Sequence, residues 1–223
     1  MADQLSFDLP GRTALGRDAF FVAPCNAMAL AMIDGWPHWP QGKLVLTGPS
    51  GAGKTHLAHV WAQLTGARIM DARSLATADI PELARTPLAI EDVPHIAEDN
   101  ASETALFHLH NLMLSEGHPL LMTGTATVAE WSLTLPDLIS RLRGTTSVAV
   151  EPPDDRLLSA LLVKLFADRQ MTPKPNLIPY LLARMDRSFV AAIEVVERLD
   201  SSSMAQKRPV TRALAAEILD RPA

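Results

Sequence analysis

One stretch limits what this chain can fold into more than any other. Gly48 to Thr55 reads GPSGAGKT, directly behind the apolar run Leu44, Val45, Leu46 and ahead of Leu57, Ala58, Val60 and Trp61. The order is strand, glycine loop, helix start. Glycines at 48, 51 and 53 let backbone N–H groups turn inward around an anion, and the helix N-terminus adds its dipole. Lys54 reaches the outer phosphates, and Thr55 offers a hydroxyl to Mg²⁺. This is the Walker A pattern in the context it needs. The expected phosphate-binding set is therefore Pro49, Ser50, Gly51, Ala52, Gly53, Lys54, Thr55 and His56, with ADP or ATP as ligand and Mg²⁺ beside it.

The sequence around the loop alternates. Strand signals at 44–46, 68–70, 88–90, 120–122 and 147–150 are separated by helical ones. Helices are expected from Thr55 to about Leu64 and from Glu103 to Ser115, with a polar-to-apolar stretch from Leu75 to Leu83 leading into the third strand, and this order gives an α/β core with a five-stranded parallel sheet. After Pro152 and Pro153 no strand signal remains. Arg156 to Arg169, Leu177 to Met185, Ser188 to Leu199 and Thr211 to Leu219 read as four helices. The division is a P-loop nucleotidase core over 12–150 and a small all-helical lid over 151–223, with nucleotide between them.

Composition narrows the function classes. With 223 residues, 48% of them hydrophobic and 20% charged, the chain supports one domain and a small second one. Its formal charge of -5 argues against broad, non-specific DNA binding, which needs many phosphate-neutralising cations, and leaves a local basic patch open. The single cysteine, Cys25, forms no internal disulfide, which points to a reducing compartment. No apolar run has the length of a membrane span, and no basic-then-apolar leader opens the chain, so a cytoplasmic place is expected.

Beyond the loop, several residue groups invite chemistry. Glu91 and Asp92 follow the buried strand 88–90, where a carboxylate holds Mg²⁺ through water and a second orients the attacking water. Glu91 is one methylene longer than the Asp usual in hydrolysing proteins, so slow or absent hydrolysis at the chain's own site is expected. Ahead of the core, Phe21, Val22 and Asn26 either line the adenine or serve as core and capping residues, with Asn26 starting a helix that ends near Gly35. The histidines are read as solvated or satisfied. His108 and His110 diverge on a helix, and His95 and His118 have no Cys or acid at ligand spacing.

The first eleven residues carry a pattern of their own. Gln4-Leu-Ser-Phe-Asp-Leu9 alternates Leu5, Phe7 and Leu9 and is closed by Pro10 and Gly11. It is either a terminal edge strand or an extended peptide that docks three apolar side chains, with Gln4 as a polar anchor. The segment is similar to the hexapeptide by which bacterial proteins hold the replication sliding clamp, with Phe7 at the central Leu position.

Taken with GPSGAGKT, four further pieces give the chain a resemblance to the DnaA/Hda-like branch of the AAA+ family: FFVAPCNA, LAIED, LPDLISRL at 135–142, and MDRSF at 185–189. The resemblance covers Phe20 to Leu219. It implies that Arg141 reaches in trans to a neighbouring subunit's nucleotide, that Arg187 contacts phosphate, and that Thr125 lies where relatives carry a nucleotide-sensing Asp. Without the resemblance, Arg141 reads as a solvated arginine in a turn before a strand, and Arg187 as half of a helix-end ion pair with Asp186. A clamp peptide at 1–11 on a bare AAA+ module, with no DNA-reading domain after Ala223, resembles the arrangement of regulators that inactivate the initiator DnaA. Clamp and DnaA are then the expected partners, with a homo-oligomer such as a dimer, weak or indirect DNA contact and no membrane. A nucleotide-dependent adaptor and an autonomous ATPase of the helicase-loader kind remain as alternatives.

Overall fold

The computed structural model describes residues 22–219. Gln4, Leu5, Phe7, Leu9 and Phe21 therefore lie outside the described residues. Five strands form one parallel sheet: β1 (Lys43–Thr47), β2 (Arg68–Asp71), β3 (Leu88–Glu91), β4 (Leu120–Gly124) and β5 (Ser147–Ala149), in the order β2-β3-β4-β1-β5. β1 lies between β4 and β5, with Leu44 opposite Leu121 and Leu46 opposite Val148.

Strands buried on both faces read as continuous apolar runs, and their side chains still alternate between two cores. Leu44, Leu46, Ala89 and Leu121 point to one face. There they meet Ala29, Leu30 and Ile33 of α1 (Pro24–Asp34) and Leu57, Ala58, Val60 and Trp61 of α2 (Lys54–Thr65). Trp39 stacks on Trp61 with ring centroids 5.3 Å apart and donates its indole N–H to the Met32 carbonyl, closing that layer. Val45, Leu88, Ile90, Leu120 and Met122 face the other way. They meet α3 (Ile80–Leu83), α4 (Asn100–Glu116) and α5 (Pro136–Arg143). A third core, with Leu158, Leu162, Phe166, Leu181, Val196, Leu199 and Leu214, belongs to the lid: α6 (Asp155–Asp168), α7 (Leu177–Leu182), α8 (Phe189–Gln206) and α9 (Arg212–Leu219).

Several boundaries differ from the sequence reading, each for a local reason. Helix α1 starts at Pro24, because proline suits the first turn; Asn26 sits inside it and its Oδ1 accepts from the Ala23 N–H at 2.9 Å. The 75–83 stretch divides into a 3₁₀ segment, Ala72–Thr77, and α3, each capped by an aspartate, Asp71 and Asp79. Helix α8 runs through Ser201, Ser202 and Ser203 to Gln206, where the polar run had suggested a stop after Leu199. Arg141 belongs to a helix, not a turn. Leu135 stands at its N-cap and Pro136 at its first position, and the turn comes only at Gly144.

One buried carboxylate ties α4 to α5. Glu103 is fully buried and accepts from the Glu98, Thr134 and Leu135 N–H groups at 2.6–3.0 Å. It thereby fixes the entry to the helix that carries Arg141. Removing it strands three backbone donors. Glu103→Ala should lower unfolding stability by about 3 kcal/mol or more, and Glu103→Gln, which keeps one acceptor, by clearly less. Urea denaturation checks this, and equal midpoints for wild type and Glu103→Ala would contradict it.

Candidate nucleotide site

The glycine loop stands at the C-terminal end of β1, between Thr47 and the first residue of α2, Lys54. Two of its glycines are required by close approach. A Cβ on Gly48 (φ 145°) would lie 2.2 Å from the Val150 carbonyl oxygen, and one on Gly51 (φ 74°) would lie 2.3 Å from Ser188 Cβ. Lys54 is 7% exposed and its Nζ donates to the carbonyls of Gly48 and Pro49 at 2.8 and 2.9 Å. The ammonium is thus held inside the loop's curve, among the oxygens it would leave for a phosphate. Burial pushes its pKa down, while Asp92 and Glu91 pull it up. Pro49, Ser50 and Thr55 are exposed, Ala52 is buried and His56 half-buried.

Glu91 ends β3, half-buried, and its Oε1 is buried with no hydrogen-bond partner among the described residues. A buried carboxylate oxygen without a donor fits a site that a hydrated cation completes. Glu91 and the Thr55 hydroxyl would offer oxygen donors of the kind Mg²⁺ takes, and the ion would neutralise phosphate charge when bound. Asp92, next in the chain, takes a left-handed backbone (φ 55°) and donates its N–H to Thr123 Oγ1 at 3.1 Å. The hydroxyl at the end of β4 that meets the acidic strand is therefore that of Thr123. Thr125 is exposed, and its backbone carbonyl accepts from the Trp131 indole N–H.

The lid rests on the loop. The Phe189 N–H at the start of α8 donates to the Gly51 carbonyl at 3.1 Å, and Ser188 caps α8 by accepting from the Ala191 N–H. Arg187, one residue before that cap, pairs with Asp155 at the start of α6 at 3.0 Å; Asp186 is not its partner. Both side chains are more than half exposed, and such a pair is worth about 0–1 kcal/mol, so it holds Arg187 loosely. Of the adenine-side group, Val22 is exposed and Asn26 is 2% exposed, engaged with the backbone of its own helix.

Arg141 sits at the other end of the sheet. It is exposed in the last turn of α5, just before β5 begins at Ser147, whereas the glycine loop follows the far end of β1. The strands are parallel, so the two ends are a strand length apart, about 16 Å for five residues. Arg141 therefore does not face its own glycine loop. It lines a cavity of about 400 Å³ with Gln41, Phe107, His110, Asp137, Ser140 and Gly144.

The histidines divide. His108 is exposed and His110 is 2% exposed. Burial, reinforced by Lys43 and Arg141, pushes the His110 pKa down to about 4, so it is neutral near pH 7. The sequence reading gave His95 no acid at ligand spacing, but Asp92 stands three residues before it, and folding brings Asp71 to both. Donor atoms of Asp71, Asp92 and His95 all lie within 4.8 Å of one another. The contact joins the ends of two neighbouring strands, which the sequence separates by some twenty residues.

No family model matches the sequence. Solved structures share the fold. Domain III of the Thermotoga maritima replication initiation protein DnaA superposes with a TM-score of 0.80 at 17% identity, over 95% of this chain and 98% of that one. The AMPPCP-bound DnaA from Aquifex aeolicus gives 0.68 at 17% identity over 79% and 62%. The Thermotoga maritima RuvB Holliday junction branch migration motor gives 0.70 at 16% over 92% and 71%. The chain shares with these proteins the fold of a five-stranded parallel-sheet core followed by a helical segment. No helix among the described residues is long and apolar enough to cross a membrane.

His110 makes stability depend on acid. Its folded pKa, about 4, lies below the ordinary 6.5, so its contribution is fully present above pH 6.5 and is lost as pH falls toward 4. Wild type should lose roughly 3 kcal/mol across that window from this group, a loss missing in His110→Gln. Urea unfolding at pH 7 and pH 4.5 measures it; identical pH slopes for the two proteins would contradict it.

Proposed function

We propose that this chain binds ADP or ATP with Mg²⁺ at Gly48–Thr55 and acts as a clamp-tethered regulator of replication initiation. In this reading it stimulates hydrolysis of ATP held by DnaA, in the manner of an Hda-type protein. The observation that carries the reading is the separation of Arg141 from its own glycine loop. An exposed guanidinium at the opposite end of the strands serves a phosphate on another molecule, where it stabilises the charge that develops during transfer. The chain's own pocket favours the same division. It has the phosphate cradle, but its first acid is Glu91, and a hydroxyl, Thr123, meets the acidic strand from β4. Arg187 would leave its exposed pair with Asp155 for bound phosphate, so nucleotide would tighten the lid on the loop.

Clamp attachment through Gln4, Leu5, Phe7 and Leu9 raises the local concentration of the Arg141 surface at DnaA. A dimer or larger homo-oligomer, with weak or indirect DNA contact in a cytoplasmic setting, completes the reading. Likeness in fold to AMPPCP-bound DnaA supports adenine nucleotide as the ligand class.

Two outcomes test it. Lys54→Ala should fold and lose most ADP and ATP affinity in calorimetry, because it deletes the one buried charge in the loop; wild-type affinity would refute the site. Arg141→Ala should retain nucleotide and clamp binding while phosphate release from preformed ATP–DnaA, with DNA-loaded clamp, falls about 10³-fold. Full stimulation by that variant would turn the reading toward a nucleotide-dependent adaptor.

A further inference from the structure

A lysine opens β1 at the end far from the nucleotide loop. Lys43 is 1% exposed, and among the described residues no carboxylate pairs with it. Its Nζ lies 3.3 Å from His110 Nδ1 on α4. His110 Nε2 lies 3.3 Å from Thr145 Oγ1, and Thr145 Oγ1 lies 2.9 Å from the Arg141 carbonyl oxygen. The donors run one way only. An ammonium has no acceptor, so Nδ1 accepts; Nε2 then carries the hydrogen and donates to Thr145, whose own hydrogen goes to the carbonyl. The chain therefore has a single tautomer and a single direction.

Such an arrangement is poor economy for stability alone. A buried cation without a counter-ion is destabilising, and an apolar residue of similar volume at the start of a strand packs as well or better. What the chain does reach is the last turn of α5. Carbonyls there have no intrahelical donors, and a helix end frays unless they are bonded. We propose that Lys43, His110 and Thr145 are positioning residues for Arg141, tying the turn that bears it to β1 and pressing its guanidinium outward by like-charge repulsion. The proposal rests on the reading of Arg141 as a trans-acting group, which it deepens by naming what fixes that group's place.

Lys43 is contacted by His110 on α4 and repelled by Arg141 on α5, and Asp137 on α5 lines the same cavity as Arg141 and His110. Asp137 lies on the exposed wall of the cavity and makes no ion pair with Lys43. Burial, with Arg141 adding repulsion, pushes the Lys43 pKa down to about 8 from 10.5. The folded state therefore binds fewer protons than the unfolded chain between those values, and stability from this group rises with pH across them. Stimulation should move in the opposite sense, falling above pH 8 as the ammonium discharges.

The test uses the full chain with Lys43→Met, which keeps an unbranched apolar side chain, and Thr145→Val, which removes the hydroxyl that joins His110 to the Arg141 carbonyl. Amide exchange is read at Gly144 and Thr145, and phosphate release from ATP–DnaA is read with DNA-loaded clamp. Both variants should speed exchange of those two amides about 10-fold, and Lys43→Met should match or exceed wild-type stability at pH 7. Both should lower stimulation about 10²-fold with nucleotide and clamp binding intact, and Lys43→Met should lose the decline above pH 8. Unchanged exchange in both variants overturns the chain as an anchor whatever DnaA does. Faster exchange with full stimulation, where Arg141→Ala abolishes it, overturns the positioning role alone. Full stimulation by Arg141→Ala itself refutes the function proposed above and the positioning role with it.

Discussion

Strand direction organises this molecule. With all five strands parallel, their C-terminal ends gather at one edge, and there the glycine loop, Glu91, Asp92 and Thr123 meet around the Lys54 ammonium. The opposite edge collects the strand beginnings, where Lys43 stands under His110 and the turn of Arg141. Each edge thus holds a cation kept from water, and the two cations have different surroundings. Lys54 is bonded to loop carbonyls and faced by acids. Lys43 is bonded to a neutral imidazole and faced by Arg141. The first suits binding an anion within the chain, and the second suits presenting a positive group to something outside it.

The lid couples to the first edge through backbone as well as side chain. Because Gly51 lies against Ser188 and its carbonyl takes the Phe189 N–H, any movement of the loop around a phosphate is felt at the start of α8. The exposed Arg187–Asp155 pair is the weak point of that junction, since a charge-assisted contact to phosphate exceeds what a solvated ion pair contributes. This gives nucleotide a way to set lid position without any new element of structure.

Much of this was legible in the sequence, because the signals were periodic or local. The five apolar runs, the loop between strand and helix, and the four lid helices depend on patterns within a few residues, and all recur in the structure. What escaped was set by distant partners. Glu103 reads as an ordinary first-turn acid of a helix, and only folding brings Thr134 and Leu135 to it. His110 reads as one of two divergent histidines; its burial against Lys43 joins residues 67 apart in sequence. Asp71 with His95, and Thr123 with Asp92, likewise follow from sheet register. Helix α8 outran its polar serines because tertiary packing of Val195, Val196 and Leu199 outweighs weak propensities.

The central claim is that Arg141 serves nucleotide on another protein, and isotope placement addresses it most directly. Labelled ATP is loaded either on DnaA or on this chain, the two are mixed with DNA-loaded clamp, and release of labelled phosphate is followed from each. The account predicts fast release when the label is on DnaA and little when it is on this chain. Fast release from this chain's own site, with none from DnaA, would contradict it.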